Sequence, residues 1–351
     1  MLPIISGIQQ IGVGVHNAQE AFDWYKKVFG TDIIVFKDAA KATLMQQYTG
    51  HVVHTRYAIL ALNLQGGGGF EFWQYTSRQA LPPTDIINWG DLGILAIKIK
   101  CKNIFTTYQF FKNLKVNIVS LPNLNAQNIY HFYMYDPYKN LYEIIEDVHW
   151  FSNTEHPTGG VCGIVVGVLC LQKATQFYKN ILGFDVVVYK GKGTFNEWQN
   201  LPSGKLSFDR IILKQSKQKE GAFSNLLGPI AVELVQAMDR NCDKIFKNRY
   251  WGDIGFIHAC FDINGMQMHE QNCNNHKYPL TVNSKNSFEM GNAAGQFAYN
   301  EDPDGTLIEY VETHKLPILK KLGLYLNLKN RNPKKPLPNW MLKTLRFSRV
   351  K

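Results

Sequence analysis

Hydrophobic and polar positions along the chain repeat as a strand followed by an amphipathic helix. Residues 10–30 (QIGVGVHNAQEAFDWYKKVFG) and 163–183 (GIVVGVLCLQKATQFYKNILG) each read as a β-branched strand, a short turn and a helix with aromatic residues on one face. Gly30 and Gly183 stand where each helix would end, as is typical of a C-cap. An alternating strand follows each helix. The chain therefore contains a duplicated unit.

Two further repeats extend this pattern. Residues 89–101 (WGDLGILAIKIKC) and 251–263 (WGDIGFIHACFDI) share their opening residues and continue as strands. Four other strands each carry one central glutamate, and in a strand this side chain points away from the face of its apolar neighbours. These glutamates are Glu71, Glu143, Glu233 and Glu309. We predict four modules of one strand, one helix and three strands, at roughly 6–78, 90–148, 160–238 and 252–314.

The modules predict an α+β chain with two domains. In sequence order the domains are 1–150 and 151–314, followed by a tail at 315–351; alternatively, the first module pairs with the fourth and the second with the third. The 351 residues are 45% hydrophobic and 19% charged, which is typical of a globular protein. No apolar run approaches the roughly 20 residues of a membrane helix.

Charge is concentrated in the tail. Residues 315–351 hold 11 Lys/Arg and no Asp/Glu, so the remaining 27 basic and 28 acidic residues leave the body at −1. One interpretation is a patch for nucleic acid, anionic lipid or an acidic substrate. The favoured one is an arm whose apolar residues pack on the body while its lysines stay solvated. The packing residues would be Leu322, Leu324, Trp340, Leu345 and Phe347.

The sequence gives no clear nucleic-acid or membrane signal, and its expected partner is a small-molecule substrate. A homodimer is compatible with it. The six cysteines form no Cys-x-x-Cys pair and several lie in apolar runs. We therefore expect reduced, mostly structural cysteines and a cytoplasmic protein.

These features resemble the vicinal oxygen chelate superfamily, which includes glyoxalase I, methylmalonyl-CoA epimerase, fosfomycin-resistance proteins and extradiol dioxygenases. The likeness rests on IQQIGVGVHNAQEAFDWYKKVFG, GDIGFIHACFDI and YNEDPDGTLIEYVE. It implies βαβββ modules that pair into two half-barrel domains, each curled around a cleft. It also implies a divalent metal held by side chains from the first and last strands of both paired modules.

The resemblance assigns ligand positions in each module. The first-strand position falls on Gln10, Ala96, Gly163 and His258. The last-strand carboxylate falls on Glu71, Glu143, Glu233 and Glu309. If consecutive modules pair, one cleft offers Gln10, Glu71 and Glu143, and the other offers Glu233, His258 and Glu309.

Pairing of the outer modules gives a complete set instead, and we favour it. One cleft then gathers Gln10, Glu71, His258 and Glu309 as ligands for a borderline divalent ion such as Zn, Ni, Co or Fe(II). Glu143 and Glu233 remain in a degenerate cleft without a metal, paired with arginine or reaching solvent.

The implied function is that of a metal-dependent lyase, isomerase or epimerase of the glyoxalase type, acting on a small oxygenated substrate. The metal would stabilise an enediolate, and Glu309, or alternatively Glu71, would shuttle the proton. One alternative is a protein that binds a small molecule without turning it over. Another is an extradiol dioxygenase, which needs two histidines where the motif positions offer only His258.

Other residues carry weaker signals. Arg56 and Arg210 lie on matching strands and would either bind a substrate anion or pair with a neighbouring carboxylate. The glycines before Glu71 indicate a hairpin turn. The polar segment 264–299 would either close over a cleft or form a flexible insertion. Histidines outside the motif positions are assigned no role: His16, His51, His54, His131 and His269.

Overall fold

The chain has an α+β fold built on two large β-sheets of ten and nine strands, as the sequence predicted. This computed structural model describes residues 3–217, 220–285, 288–290, 293–319 and 324–350. No helix in these ranges is long and apolar enough to cross a membrane. The two sheets determine where the candidate ligands lie.

The first two modules follow the predicted order of strand, helix and strands. The first consists of β1 (Ile4–Gly14), α1 (Ala18–Phe29), β2 (Ile33–Lys41), a 3-10 helix (Thr43–Tyr48), β3 (Thr55–Leu62) and β4 (Gly69–Tyr75). The second consists of β5 (Gly93–Cys101), α2 (Ile104–Asn113), β6 (Asn117–Ile118), β7 (Asn123–Leu124), β8 (Tyr130–Tyr135) and β9 (Leu141–Glu146).

The last two modules repeat this order and precede the tail. The third consists of β10 (Thr158–Gly167), α3 (Leu171–Leu182), β11 (Val186–Gly193), a 3-10 turn (Asn196–Trp198), β12 (Phe208–Lys214), α4 (Ser224–Leu227) and β13 (Ala231–Ala237). The fourth consists of β14 (Gly255–Asn264), α5 (Met266–Asn275), β15 (Val282–Asn283), β16 (Phe288–Met290), β17 (Ala293–Glu301) and β18 (Leu307–Leu319). The tail contains β19 (Leu324–Asn327), α6 (Asn339–Leu342) and a 3-10 helix (Lys343–Ser348).

The strand order joins the outer modules in one sheet and the inner modules in the other. The outer sheet has the order β15-β17-β18-β14-β1-β4-β3-β2, with β16 beside β17 and β19 beside β18. The inner sheet has the order β11-β12-β13-β10-β5-β9-β8-β6, with β7 beside β8. β1 is antiparallel to β14, and β10 is antiparallel to β5. The division into 1–150 and 151–314 therefore matches neither sheet.

Local signals set the helix boundaries. The side chain of Asn17 accepts hydrogen bonds from the first-turn backbone N–H groups of α1, which have no partner inside the helix. Gly30 and Gly183 end α1 and α3 with φ values of 66° and 72°. Glycine adopts this left-handed conformation without steric penalty. Both predicted C-caps are confirmed.

Alternate residues of the central strands face different apolar clusters. Ile11 and Val13 of β1 belong to the largest cluster, which gathers residues from both sheets and from α1, α2 and α3. Two smaller clusters each involve a single sheet, and the one on the outer sheet includes Trp73 and Trp251. Gln10 and Gly12 have the opposite orientation to Ile11 and Val13, because strand side chains alternate.

Two equivalent hydrogen bonds connect a helix of one module with a turn of the next module, which belongs to the other sheet. Tyr25 Oη donates to Asp136 Oδ2 at 2.6 Å, and Tyr178 Oη donates to Asp302 Oδ2 at 3.3 Å. Burial raises the pKa of each aspartate to about 6. Each aspartate is followed by a proline in the turn that precedes the last long strand of its module, β9 or β18. Each of these turns is therefore held by the module that precedes it in sequence.

Two expectations about irregular segments need correction. Most of the described part of segment 264–299 is regular, because α5, β15, β16 and β17 are elements of the fourth module rather than an insertion. In the tail, Leu345 packs on the body as predicted, but Trp340 and Phe347 are 64% and 78% exposed. Their predicted packing is wrong. Leu322 and the side chain of Leu324 lie outside the part of the chain that the structure describes.

Candidate metal centre

Four predicted ligands meet on one face of the outer sheet. His258 Nε2 lies 3.1 Å from Glu309 Oε2 and 3.6 Å from Glu71 Oε2. One ligand atom from each of these three residues lies within 4.8 Å of the others. Gln10 Nε2 donates to Glu309 Oε2 at 3.4 Å. These residues come from β1, β4, β14 and β18, so the cluster depends on pairing between the first and last modules.

The strand register explains why these side chains converge. Gly12 lies opposite His258 in the β1–β14 pair and beside Glu71 in the parallel β1–β4 pair. Gln10, two residues earlier, faces Cys260, which in turn lies beside Glu309 in the β14–β18 pair. Side chains two residues apart share one face of a strand. Four neighbouring strands therefore present their ligand positions at the same level of the sheet.

The imidazole of His258 is fully buried and has polar contacts on both ring nitrogens. Trp251 Nε1 lies 3.4 Å from Nδ1 and Tyr299 Oη lies 3.5 Å from it. Nε2 faces the two carboxylates. Burial disfavours the charged imidazolium, but the negative charges of Glu309 and Glu71 outweigh burial and raise the pKa of His258. A cation in the cluster would compete with this proton.

The carboxylate of Glu71 is the less constrained of the two. Burial raises its pKa, and repulsion from Glu309 raises it further, while His258 and Arg56 oppose the shift. A positive charge between the two neighbouring carboxylates would offset their mutual repulsion. The side chain of Glu71 is 12% exposed, against 8% for Glu309.

The donor atoms fit a divalent cation. Gln10 Oε1 is buried and has no hydrogen-bond partner in the described part of the chain, and His258 Nε2 points at the two carboxylates. Buried polar atoms normally find partners, so the vacant carboxamide oxygen is unusual. A carboxamide oxygen, an imidazole nitrogen and two carboxylates together form a mixed nitrogen and oxygen set that suits borderline divalent ions.

The equivalent position in the inner sheet is occupied by a lysine. Ala96 and Gly163 stand at its first-strand ligand positions, as the repeat alignment predicted. Lys98 Nζ contacts Glu143 Oε2 and lies 2.8 Å from Glu233 Oε2. The two glutamates of the degenerate cleft therefore converge on an ammonium group instead of reaching solvent.

Sequence reasoning missed Lys98 and the role of His131. His131 Nδ1 lies 2.8 Å from Glu143 Oε1. Burial opposes ionisation of Glu143, but Lys98 and His131 outweigh it and hold the pKa of Glu143 far below its usual range. The available signal was the pair Lys98 and Lys100 in the otherwise apolar run ILAIKIK, in the module that contains Glu143.

Arg210 also belongs to the inner network, and its predicted contact with a substrate is wrong. Its Nε lies 2.6 Å from Glu233 Oε1 and its Nη1 lies 2.6 Å from Glu197 Oε1. The guanidinium stacks on Trp198 at 4.4 Å and is fully buried. The alternative interpretation, pairing with a neighbouring carboxylate, describes Arg210 correctly.

Arg56 is held by a neighbouring strand as well. Its Nη1 donates to the Asp38 carbonyl at 2.7 Å and lies 3.3 Å from Asp38 Oδ2. Arg56 faces Tyr75 in the β3–β4 pair, which is four residues beyond Glu71. Arg210 faces Val235, only two residues beyond Glu233. The two arginines therefore lie on equivalent strands at different positions.

The carboxylates of the outer cluster, Glu71 and Glu309, lack counterparts of Lys98 and Arg210. Strand register places Ala58 where the inner sheet has Arg210, because Ala58 faces Trp73, two residues beyond Glu71. The repeat alignment likewise places Cys260 where the inner sheet has Lys98. The inner cluster thus carries its own positive charges. The outer cluster has the arrangement expected of a site that binds a cation.

A cavity of about 350 Å³ lies close to the cluster. Its wall includes the aromatic residues Trp251, Phe246 and Phe256 together with Ile257, which precedes His258. Trp251 also contacts His258 through its indole nitrogen. The same indole therefore borders the cavity and the candidate metal centre.

Comparisons with known proteins identify the fold. No protein-family model matches the sequence, and no curated protein sequence does. Glyoxalase I from Zea mays superposes with a TM-score of 0.51 at 12% identity, covering 87% of this chain and 92% of that one. A candidate dioxygenase from Bacillus subtilis gives a TM-score of 0.54 at 15% identity, covering 88% of this chain and 85% of that one. At such identities the likeness is one of architecture, and the chain has the fold of the vicinal oxygen chelate superfamily.

Proposed function

We propose that the chain is a divalent-metal-dependent enzyme of the glyoxalase type: a lyase, isomerase or epimerase that acts on a small molecule with two adjacent oxygens. The observation that carries this proposal is the convergence of Glu71, His258 and Glu309 within 4.8 Å, beside Gln10. The unpartnered, buried Gln10 Oε1 and the position of His258 Nε2 against both carboxylates support it. When bound, the ion would supply Lewis-acid stabilisation of negative charge on a substrate oxygen.

Gln10, His258 and Glu309 are best placed to hold the ion, and Glu71 to move the proton. The sequence favoured Glu309 as the proton shuttle. Glu309, however, lies 3.1 Å from His258 and accepts from Gln10, whereas Glu71 lies 3.6 Å from His258 and is the more exposed carboxylate. Burial and Glu309 also raise the pKa of Glu71. A base with a raised pKa accepts a proton from carbon more readily and returns it to the neighbouring carbon.

The cavity bordered by Trp251 is the candidate path for the substrate. Its aromatic wall would accommodate the apolar part of a small molecule, and about 350 Å³ is within the usual range for ligand pockets. Movement of the Trp251 indole would open the cavity towards His258. The indole would also exclude water from the reacting carbon once it closes.

A non-catalytic binding protein is the second candidate. Neither this cavity nor a larger one of about 590 Å³ has Gln10, Glu71, His258 or Glu309 on its wall. A ligand could therefore be held without contact with the cluster. An extradiol dioxygenase is not favoured, because the cluster contains one histidine where two are needed.

The test begins with metal content. Purified wild-type chain is compared with His258→Ala and with His16→Ala, which removes an exposed histidine as a control. We expect about one divalent ion per chain in the wild type and in His16→Ala. We expect loss of retained metal in His258→Ala, because the imidazole is the only nitrogen ligand of the cluster. Equal metal content in all three proteins contradicts the proposed centre.

Catalysis is tested by hydrogen–deuterium exchange at carbon. Metal-loaded chain is incubated in deuterated water with α-hydroxycarbonyl compounds and thiol hemiacetals, and exchange at the carbon beside the carbonyl is followed by NMR. Exchange that is lost in Glu71→Gln, with metal retained, supports an enzyme in which Glu71 moves the proton. Ligand binding without exchange supports the binding protein instead.

A further inference from the structure

The C-terminal tail exposes two large aromatic side chains beside two cations. Trp340 is 64% exposed and Phe347 is 78% exposed. Lys343 and Arg346 lie on the same helical segment and are exposed as well. The Arg346 guanidinium lies 4.9 Å from the centre of the Phe347 ring. These four residues are called the aromatic–basic face below.

The other side of this segment packs on the body. α6 continues directly into the 3-10 helix, and within this run Leu342 is 4% exposed while Leu345 packs against the same apolar cluster. Lys343 and Arg346 are three residues apart, so they lie above each other on the 3-10 helix. The inner side of the segment is apolar, as in an amphipathic helix, but its outer side carries aromatic as well as basic residues. Large exposed apolar groups of this kind mark an interaction surface.

The segment is also anchored at both ends. The backbone N–H of Leu337 donates to the Ala222 carbonyl at 2.9 Å, ahead of α6. After the 3-10 helix, Arg349 Nη2 lies 2.6 Å from Asp32 Oδ2. An anchored surface loses little conformational entropy when it binds a partner.

We propose that the aromatic–basic face docks on an anionic lipid bilayer. Interfacial helices insert aromatic residues among the headgroups while Lys and Arg attract anionic lipids. The whole tail, 315–351, contains 11 Lys/Arg and no Asp/Glu, so its charge complements such a surface. Proteins that bind single-stranded nucleic acid align several aromatic residues along a groove instead. Among the tail side chains described by the structure, Trp340 and Phe347 are the only exposed aromatic ones.

Sedimentation with lipid vesicles tests this proposal with the full chain. We expect binding to vesicles of phosphatidylcholine mixed with phosphatidylserine, and weak binding to phosphatidylcholine alone. Trp340→Ala/Phe347→Ala should reduce the affinity about tenfold or more, because two apolar side chains no longer enter the interface. Lys343→Gln/Arg346→Gln should reduce it about fivefold for each cation removed. Added salt should weaken binding of the wild type.

Two matched controls distinguish binding by the aromatic–basic face from non-specific electrostatic or hydrophobic binding. Lys112→Gln/Lys173→Gln removes the same charge from exposed positions on α2 and α3. Ile86→Ala/Val148→Ala removes apolar side chains that are 74% and 87% exposed. Both controls should bind vesicles like the wild type, and thermal unfolding verifies that every variant is folded. Equal losses in variants and controls overturn the proposal, as does an absence of vesicle binding. Preferential binding of a single-stranded oligonucleotide that depends on Trp340 and Phe347 also overturns it.

Discussion

Gly12 and His258 face each other across the β1–β14 pair, and the glycine provides the space that the imidazole occupies. A Cβ atom at position 12 would lie 2.5 Å from Nε2 and 2.8 Å from Nδ1 of His258. Real carbon atoms do not approach ring atoms so closely. At the equivalent place in the inner sheet, Val165 faces Ala96. The inner sheet fills this space with a valine side chain opposite an alanine, whereas the outer sheet has a glycine opposite the imidazole. Only the outer sheet therefore has room for a metal-ligating side chain here.

This relationship predicts coupling between the two positions. Gly12→Val should displace the imidazole, remove the bound metal and destabilise the chain by about 1–3 kcal/mol. The double variant Gly12→Val/His258→Ala recreates the pair seen in the inner sheet. We expect it to recover stability, with a coupling energy of about 0.5–3 kcal/mol, although it binds no metal. Urea unfolding of the two single variants and the double variant measures this energy. Purely additive effects would show that the two residues do not share the space.

A second prediction exchanges the metal for an ammonium group. Cys260→Lys/Gln10→Gly installs in the outer sheet the pair formed by Lys98 and Gly163 in the inner sheet. The new ammonium group should lie between Glu71 and Glu309, as Lys98 lies between its two glutamates. We expect a folded chain that retains no divalent ion. Metal analysis and unfolding curves provide the measurement, with Cys260→Ala/Gln10→Gly as the matched control for loss of volume. Metal binding at the wild-type level would contradict the equivalence of the two clusters.

A third prediction concerns Lys98 itself. Lys98→Met leaves Glu143 and Glu233 buried without this cation, and loss of one partner of a buried ion pair costs about 3–5 kcal/mol. Lys100 is a matched control because it is equally buried, but its ammonium group donates to the backbone carbonyl of His149. Burial lowers the pKa of Lys100, so Lys100→Met removes a costly charge and should be close to neutral. Similar losses of unfolding free energy in both variants would refute a specific role for Lys98.

A fourth prediction concerns pH. Burial raises the pKa of Asp262 to about 7, with a contribution from Glu312 and partial relief from Ser6. The folded chain therefore holds a proton that the unfolded chain releases near its ordinary pKa of about 4. Below about pH 4 the protonated carboxyl makes its full contribution to the free energy of unfolding. This contribution is lost as the pH rises from about 4 to about 7. Asp262→Asn removes this loss, so its advantage over wild type should grow between pH 4 and pH 8 by about 4 kcal/mol.

The control for this experiment is Asp23→Asn, which changes an exposed aspartate on α1. Urea unfolding at several pH values should give this control the same pH dependence as the wild type. A constant difference between Asp262→Asn and the wild type at all pH values would mean that Asp262 has an ordinary pKa.

The sequence predicted those features that local rules or internal repeats determine. Gly30 and Gly183 ended helices because the left-handed C-cap is a local requirement. The repeats placed the ligand positions on equivalent strands, so Gln10 and His258 could be aligned although they are far apart in sequence. The fold class followed from the same repeats.

Features that depend on register between strands could not be predicted in this way. Arg56 and Arg210 lie on equivalent strands, but a shift of two residues directs one to Asp38 and the other to Glu233. The apolar run around Lys98 indicates burial, but only the β5–β10 register places this lysine between two carboxylates. Burial of the tail side chains could not be predicted either, because the exposure of Trp340 depends on how α6 packs against the body.

The pairing of β1 with β14 has a consequence for synthesis on the ribosome. β1 ends at Gly14, while β14 begins at Gly255. At ordinary rates of translation, about 12–50 s separate the emergence of these two strands. Every strand of the inner sheet emerges within this interval, since β5 begins at Gly93 and β13 ends at Ala237. The first four strands must meanwhile persist with an open edge at β1, so the nascent chain is most prone to mispairing just before its last module arrives.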